Sequence, residues 1–178
     1  MVVETTTGAH LSLLVGRLLD NCALSLRDLT HEQIHFRAAP ASNSIAFEMW
    51  HVARTVDNVI FFAFDREQPV WLRDGYELRS GLPKTAQGTG MTPEEAYAMR
   101  FPEPEELAGY IDAVKAAVLP RLEAATQEYL DGLTTIRPWG ERSRAEHAWQ
   151  VLVAHGNGHL GSVTMARAIL GYRDVIGL

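Results

Sequence analysis

Apolar residues recur every three or four positions along much of the chain. The first run, Leu11, Leu14, Val15, Leu18, Cys22, Leu26 and Leu29, predicts an amphipathic helix that Thr30 ends. A second run, Ile45, Met49, Val52, Val56, Val59 and Ile60, follows the capping side chains of Ser42, Asn43 and Ser44 and predicts a helix ending near Phe64. From Asp65 to Met91 the periodicity lapses among Pro69, Gly75, Gly81, Pro83, Gly88 and Gly90. That segment reads as a long connection, mostly irregular, with one short helical turn at Val70 to Arg73.

Thr92-Pro93-Glu94-Glu95 combines a capping box with proline at the first helical position, so a short helix begins there and stops before Pro102. A third long stripe runs from about Pro104 through Leu107, Tyr110, Ile111, Val114, Val118, Leu122 and Ala125, with a kink expected at Pro120. Ser143 with Glu146 forms another capping box and opens a fourth helix that reaches about Leu170, where Gly171 ends it. No alternating strand pattern and no internal repeat stands out. The expected fold is all-α, a four-helix bundle spanning residues 1–178 as one domain, with its long connection between helices 2 and 3.

Composition narrows the setting. A chain of 178 residues, 47% of them hydrophobic, can bury a core without disulfides, and its one cysteine, Cys22, lies on an apolar stripe as a core thiol. The first residues lack a basic stretch followed by an unbroken apolar run, and no segment is apolar for long enough to span a bilayer. Sixteen basic residues scattered through a chain of net charge −6 argue against a nucleic-acid surface. We therefore expect a cytoplasmic protein acting on a small molecule, with no membrane or nucleic-acid partner.

Histidines supply the candidate chemistry. His31-Glu32-Gln33-Ile34-His35 matches the H-E-x-x-H pattern of zinc proteases, but Thr30 and Pro40 leave room for barely two helical turns and no third ligand is in view. It reads as a surface turn. His155 and His159 are four residues apart on the apolar side of the fourth helix, beside Val151, Leu152, Val163 and Ala166. Rings placed there need either hydrogen bonds or a metal, because an unpartnered buried polar group costs about 1–3 kcal/mol. His51, in the middle of the second helix, is the third nitrogen that a crossing helix could bring to the same point.

The segment His155-Gly156-Asn157-Gly158-His159 is odd for a helix, since each interior glycine costs about 1 kcal/mol relative to alanine. Two compensations fit: close packing of a neighbouring helix, or close approach of a substrate, at Gly156, Gly158 and Gly161.

The order of these features resembles the DinB-like superfamily of four-helix bundles. The matching pieces are Leu29-Thr30-His31-Glu32-Gln33-Ile34-His35-Phe36-Arg37, Asn43-Ser44-Ile45-Ala46, Trp50-His51-Val52-Ala53-Arg54 with Asp57, Gly90-Met91-Thr92-Pro93-Glu94-Glu95, and His155-x-x-x-His159-Leu160-Gly161. The resemblance spans nearly the whole chain. It implies a metal triad of His51, His155 and His159, no ligand role for His31 or His35, and, as in many members, a homodimer.

The resemblance also implies chemistry. Three nitrogens with an open position suit a catalytic zinc or nickel ion, and are compatible with iron, manganese or copper. Such an ion activates a low-molecular-weight thiol, of the mycothiol or bacillithiol kind, for transfer to an electrophilic small molecule. Its rivals are hydrolysis by a metal-activated water and a non-catalytic binding or stress-response bundle. Glu48, one turn before His51, is the candidate base or acceptor for a ligand's second nitrogen, and Arg54, one turn after, the candidate grip for a carboxylate or the partner of Asp57 or Asn58 on the helix surface. The connection from Arg73 to Met91 is a candidate lid, and Trp50, Trp71, Trp139 and Trp149 are expected to pack.

Overall fold

The computed structural model describes residues 5–176. Helix α1, Thr7–Arg27, starts one turn before the apolar run, because Thr6 accepts a hydrogen bond from the Ala9 amide and caps it. A one-turn helix α2, His31–Ile34, is closed by a capping box between Thr30 and Gln33. Ser44 caps α3, Ile45–Asp57, whose chain continues as a π-helical stretch over Asn58–Phe64. After the connection, α7, Pro104–Glu123, is the third bundle helix, and it runs through Pro120 without a break.

The fourth bundle helix opens with α9, Arg144–His147, passes through a second π-helical stretch, Ala148–Ala154, and becomes α10, His155–Ile169. The capping box of Ser143 and Glu146 starts it as expected. The π stretches were not foreseen; wide turns of this kind shift the phase of the residues beyond them, and they recur at functional sites. Here one follows His51 and the other ends immediately before His155.

Helices α1 and α7 make the most extensive pair, and α3 contacts both α7 and α10. The faces predicted to be apolar meet in one core, with Leu11, Val15, Leu19, Cys22, Leu26, Ile111, Val114 and Val118 inaccessible to water. Burial pushes the Cys22 thiol far above its usual range, which fits an inert core residue.

The connection is better built than its sequence suggests. Its helical turn forms where expected, as α4, Val70–Arg73, and a further turn follows as α5, Tyr76–Ser80. The fully buried Asp57 accepts the Val70 and Trp71 amides at 2.8 and 2.9 Å and the Tyr110 hydroxyl at 2.9 Å, so a carboxylate at the end of α3 caps α4 from a distance. The capping box at Thr92 and Glu95 starts α6, Pro93–Ala98. After α8, Gln127–Asp131, the chain forms a two-stranded hairpin, β1 Leu133–Ile136 and β2 Gly140–Ser143, paired antiparallel from Leu133↔Ser143 to Ile136↔Gly140. Strands of four residues are too short to show alternation, and the sequence reading missed them.

The expected surface turn at His31 and His35 forms as the single turn of α2, with His31 and Glu32 exposed, and it also has a structural task. The two rings hold one backbone unit: His31 Nε2 meets the Phe101 carbonyl at 2.9 Å, and the Phe101 amide donates to His35 Nε2 at 3.0 Å. They pin the segment before α7 to the end of α2 and take no part in the other histidine cluster.

Candidate metal centre

His51 sits on the buried face of α3, while His155 and His159 project from successive turns of α10. The α3–α10 crossing brings the three rings together. His155 Nε2 lies 2.9 Å from His159 Nε2 and 3.4 Å from His51 Nε2, and one nitrogen from each of the three falls within 4.8 Å of the others.

The far side of each ring decides what those nitrogens carry. His51 Nδ1 donates to the Gln87 carbonyl, and His159 Nδ1 donates to the Glu48 carboxylate. A proton on Nδ1 leaves Nε2 with its lone pair, so both rings present acceptors inward. His155 Nδ1 is buried without a hydrogen bond of normal geometry. Burial depresses the basicity of His51 to a pKa of about 4, against a smaller opposing pull from the Gln87 carbonyl, and burial lowers that of His155 as well. Neutral imidazoles with converging lone pairs repel unless a proton or cation lies between them. A tetrahedral ion with bonds of about 2.0–2.1 Å would set its nitrogens ~3.3 Å apart, close to both distances observed here. The donor set fits a divalent transition metal.

Around the triad, several side chains hold it in place. Asn43 donates to the other oxygen of Glu48 at 3.1 Å, which orients the carboxylate that orients His159. Residues 86–88 of the long connection lie along α3: Arg54 Nε reaches the Ala86 carbonyl at 3.4 Å, Asn58 donates to the Gln87 side chain, and His51 takes the Gln87 carbonyl. Those three helix positions share one face. Gly88, with φ of +97°, is needed here, because a Cβ would stand 2.6 Å from His51 Nδ1. The connection therefore acts as a wall that fixes His51. Its separation in sequence, with only a glycine as a cue, hid Gln87, Gly88 and Asn58 from sequence reasoning.

The structure brings Glu48 to the triad through His159 and keeps Arg54 away from it. Glu48 is 8% exposed and bonded on both oxygens. Arg54 is 1% exposed, 3.5 Å from Asp57, and stacked 5.1 Å from the Trp71 ring. The expected Arg54–Asp57 pairing is present, although in the core and not on the helix surface. Of Gly156, Gly158 and Gly161 in α10, only Gly156 meets a neighbour: a Cβ there would come within 2.5 Å of Leu18 Cδ2, while at the other two it would meet nothing within 4 Å. Helix packing therefore accounts for Gly156 alone.

The triad opens into a cleft of about 430 Å³, lined by α3, by the connection and α6, and by the hairpin turn Arg137-Pro138-Trp139. Phe47 stacks beside His51, and the Trp139 ring meets His155 edge-on at 6.4 Å between centroids. Trp50 and Trp71 pack in the core as expected, but Trp139 and Trp149 are 36% and 41% exposed. Among the described residues no helix is long and apolar enough to cross a membrane.

Comparison with known proteins agrees with this architecture. A family model described as the DinB superfamily matches residues 17–163. The chain is similar to a solved structure described as the conserved protein of locus from Enterococcus faecalis, with a TM-score of 0.77 and 23% identity over 92% of this chain and 96% of that one. That likeness is one of fold. No curated protein matches the chain.

Proposed function

The chain belongs to the DinB superfamily, and on that premise we propose that His51, His155 and His159 hold a divalent metal ion, zinc or nickel, that serves the transfer of a low-molecular-weight thiol to an electrophilic small molecule. The observation that carries the reading is the convergence of three Nε2 atoms, two of them fixed by hydrogen bonds on their far nitrogens. When bound, such an ion lowers the pKa of a thiol or water in its open position.

The chain's own residues supply the rest. Glu48 and the Gln87 carbonyl keep the Nδ1 protons of His159 and His51 in place, so that each ring turns its Nε2 toward the triad. Phe47, Val59, Ile136 and Val151 line the cleft and keep part of it dry, which strengthens polar interactions within it. Cys22 is sealed in the core, so the thiol comes from outside the chain. Glu48, with both oxygens engaged, acts through His159 and not on a reactant. A homodimer, as in many family members, is part of the same reading.

Metal analysis of protein purified without a histidine tag tests the proposal. We expect about one ion per chain in the wild type and little in a His155→Ala variant; equal content in both removes the basis for the site. Given the metal, electrophile consumption that depends on added thiol supports transfer, whereas turnover without thiol replaces it by hydrolysis.

A further inference from the structure

Of the described side chains lining the cleft, none is acidic, and the only one with a fixed formal charge is Arg137. That is unusual company for a chain of net charge −6. Glu48 bonds the far nitrogen of His159 and Asn43, and Asp57 bonds the start of α4, so neither carboxylate lines the cleft. Arg137 is exposed at the rim and makes no ion pair or side-chain hydrogen bond among the described residues.

The loop that carries it is held at its base. Thr134 Oγ1 donates to the Ala63 carbonyl at 3.2 Å, His147 Nε2 meets the Thr134 carbonyl at 3.0 Å, and the Arg144 amide donates to the Gly132 carbonyl at 2.9 Å. Arg137 and Trp139 thus stand on an anchored hairpin at the mouth of the cleft. Deeper in, Thr55 is 5% exposed, lines the cleft, and has a buried hydroxyl without a partner. Buried hydroxyls ordinarily find one, and this oxygen, itself shut off from solvent beneath the cleft wall, has none among the described residues.

We propose that the cleft binds an organic carboxylate, with Arg137 gripping the carboxylate at the mouth, Trp139 covering the apolar body and Thr55 bonding a polar group nearer the triad. This deepens the metal-dependent reading and rests on it for the reaction, though not for the binding. The carboxylate role that the sequence suggested for Arg54 passes to Arg137, since Arg54 is spent on Asp57 in the core. A guanidinium takes a carboxylate in a two-pronged, charge-assisted pair, which an amide of the same shape cannot form.

The test uses ω-mercaptoalkanoic acids of increasing chain length beside their primary amides, titrated by calorimetry into wild-type, Arg137→Gln and Thr55→Val proteins. Each protein is used zinc-loaded and metal-free, with metal content measured on the same samples. In the wild type, one chain length should bind at least about tenfold more tightly as acid than as amide, a preference that shrinks with added salt. Arg137→Gln should abolish the preference with metal content unchanged, and Thr55→Val should weaken acid and amide alike. A preference that survives in Arg137→Gln, or is missing from the wild type, overturns the assignment. A chain that binds no metal yet shows an acid preference dependent on Arg137 upholds it while sinking the metal reading.

Discussion

Glu48 illustrates how a single side chain can set the quality of a site that it does not itself enter. Its carboxylate accepts the Nδ1 proton of His159 and is steadied by Asn43. Removing a partner of this kind typically lowers metal affinity by about 10–100-fold. We expect Glu48→Gln, which can still accept the proton through its amide oxygen, to lose about tenfold, and Glu48→Ala to approach a hundredfold. Titration against a competing chelator measures both. Unchanged affinity in Glu48→Ala would mean that His159 is oriented by packing alone.

At the scale of the element, the fourth helix contains glycines with opposite demands. Gly156 lies where α10 crosses α1, and an added methyl would press on the buried Leu18. Overpacking of that kind costs about 1–3 kcal/mol, more than the helix propensity gained. Gly158 and Gly161 face open space, so alanine there should stabilise the chain by about 0.5–1 kcal/mol each. Chemical denaturation of the three variants separates the cases. Destabilisation at 158 or 161 would point to another molecule packed on that face, as a dimer would require.

The whole molecule should respond to acid through its buried imidazoles. His51 binds its proton near pH 4 when folded and near pH 6.5 when free, so between those values the unfolded chain takes up a proton that the native one refuses. Its contribution is therefore complete above about pH 6.5 and is lost as pH falls toward 4, a change on the order of 3 kcal/mol for a fully sequestered ring. His155 shifts in the same direction. Thermal melts of the metal-free protein should decline across this range, and His51→Gln should flatten the profile. Most of the bundle was legible beforehand because its signals are local: apolar spacing, the capping boxes at Thr92 and Ser143, and Gly171 past the last helix. The triad was legible in part, two members by their spacing and His51 by its place in the middle of a helix that could cross them, a set the family resemblance also implies. What escaped depends on distant chain meeting chain, such as Gln87 on His51, the hairpin beside the cleft and Asp57 beneath α4.

One consequence follows from the 104 residues that separate His51 from His155. A ribosome-bound chain that has exposed only its first half owns one member of the triad and its carbonyl prop, which is no trap for a cation. On the proposed metal reading, metallation waits for late synthesis, and the protein reaches its shape before it competes for scarce ions.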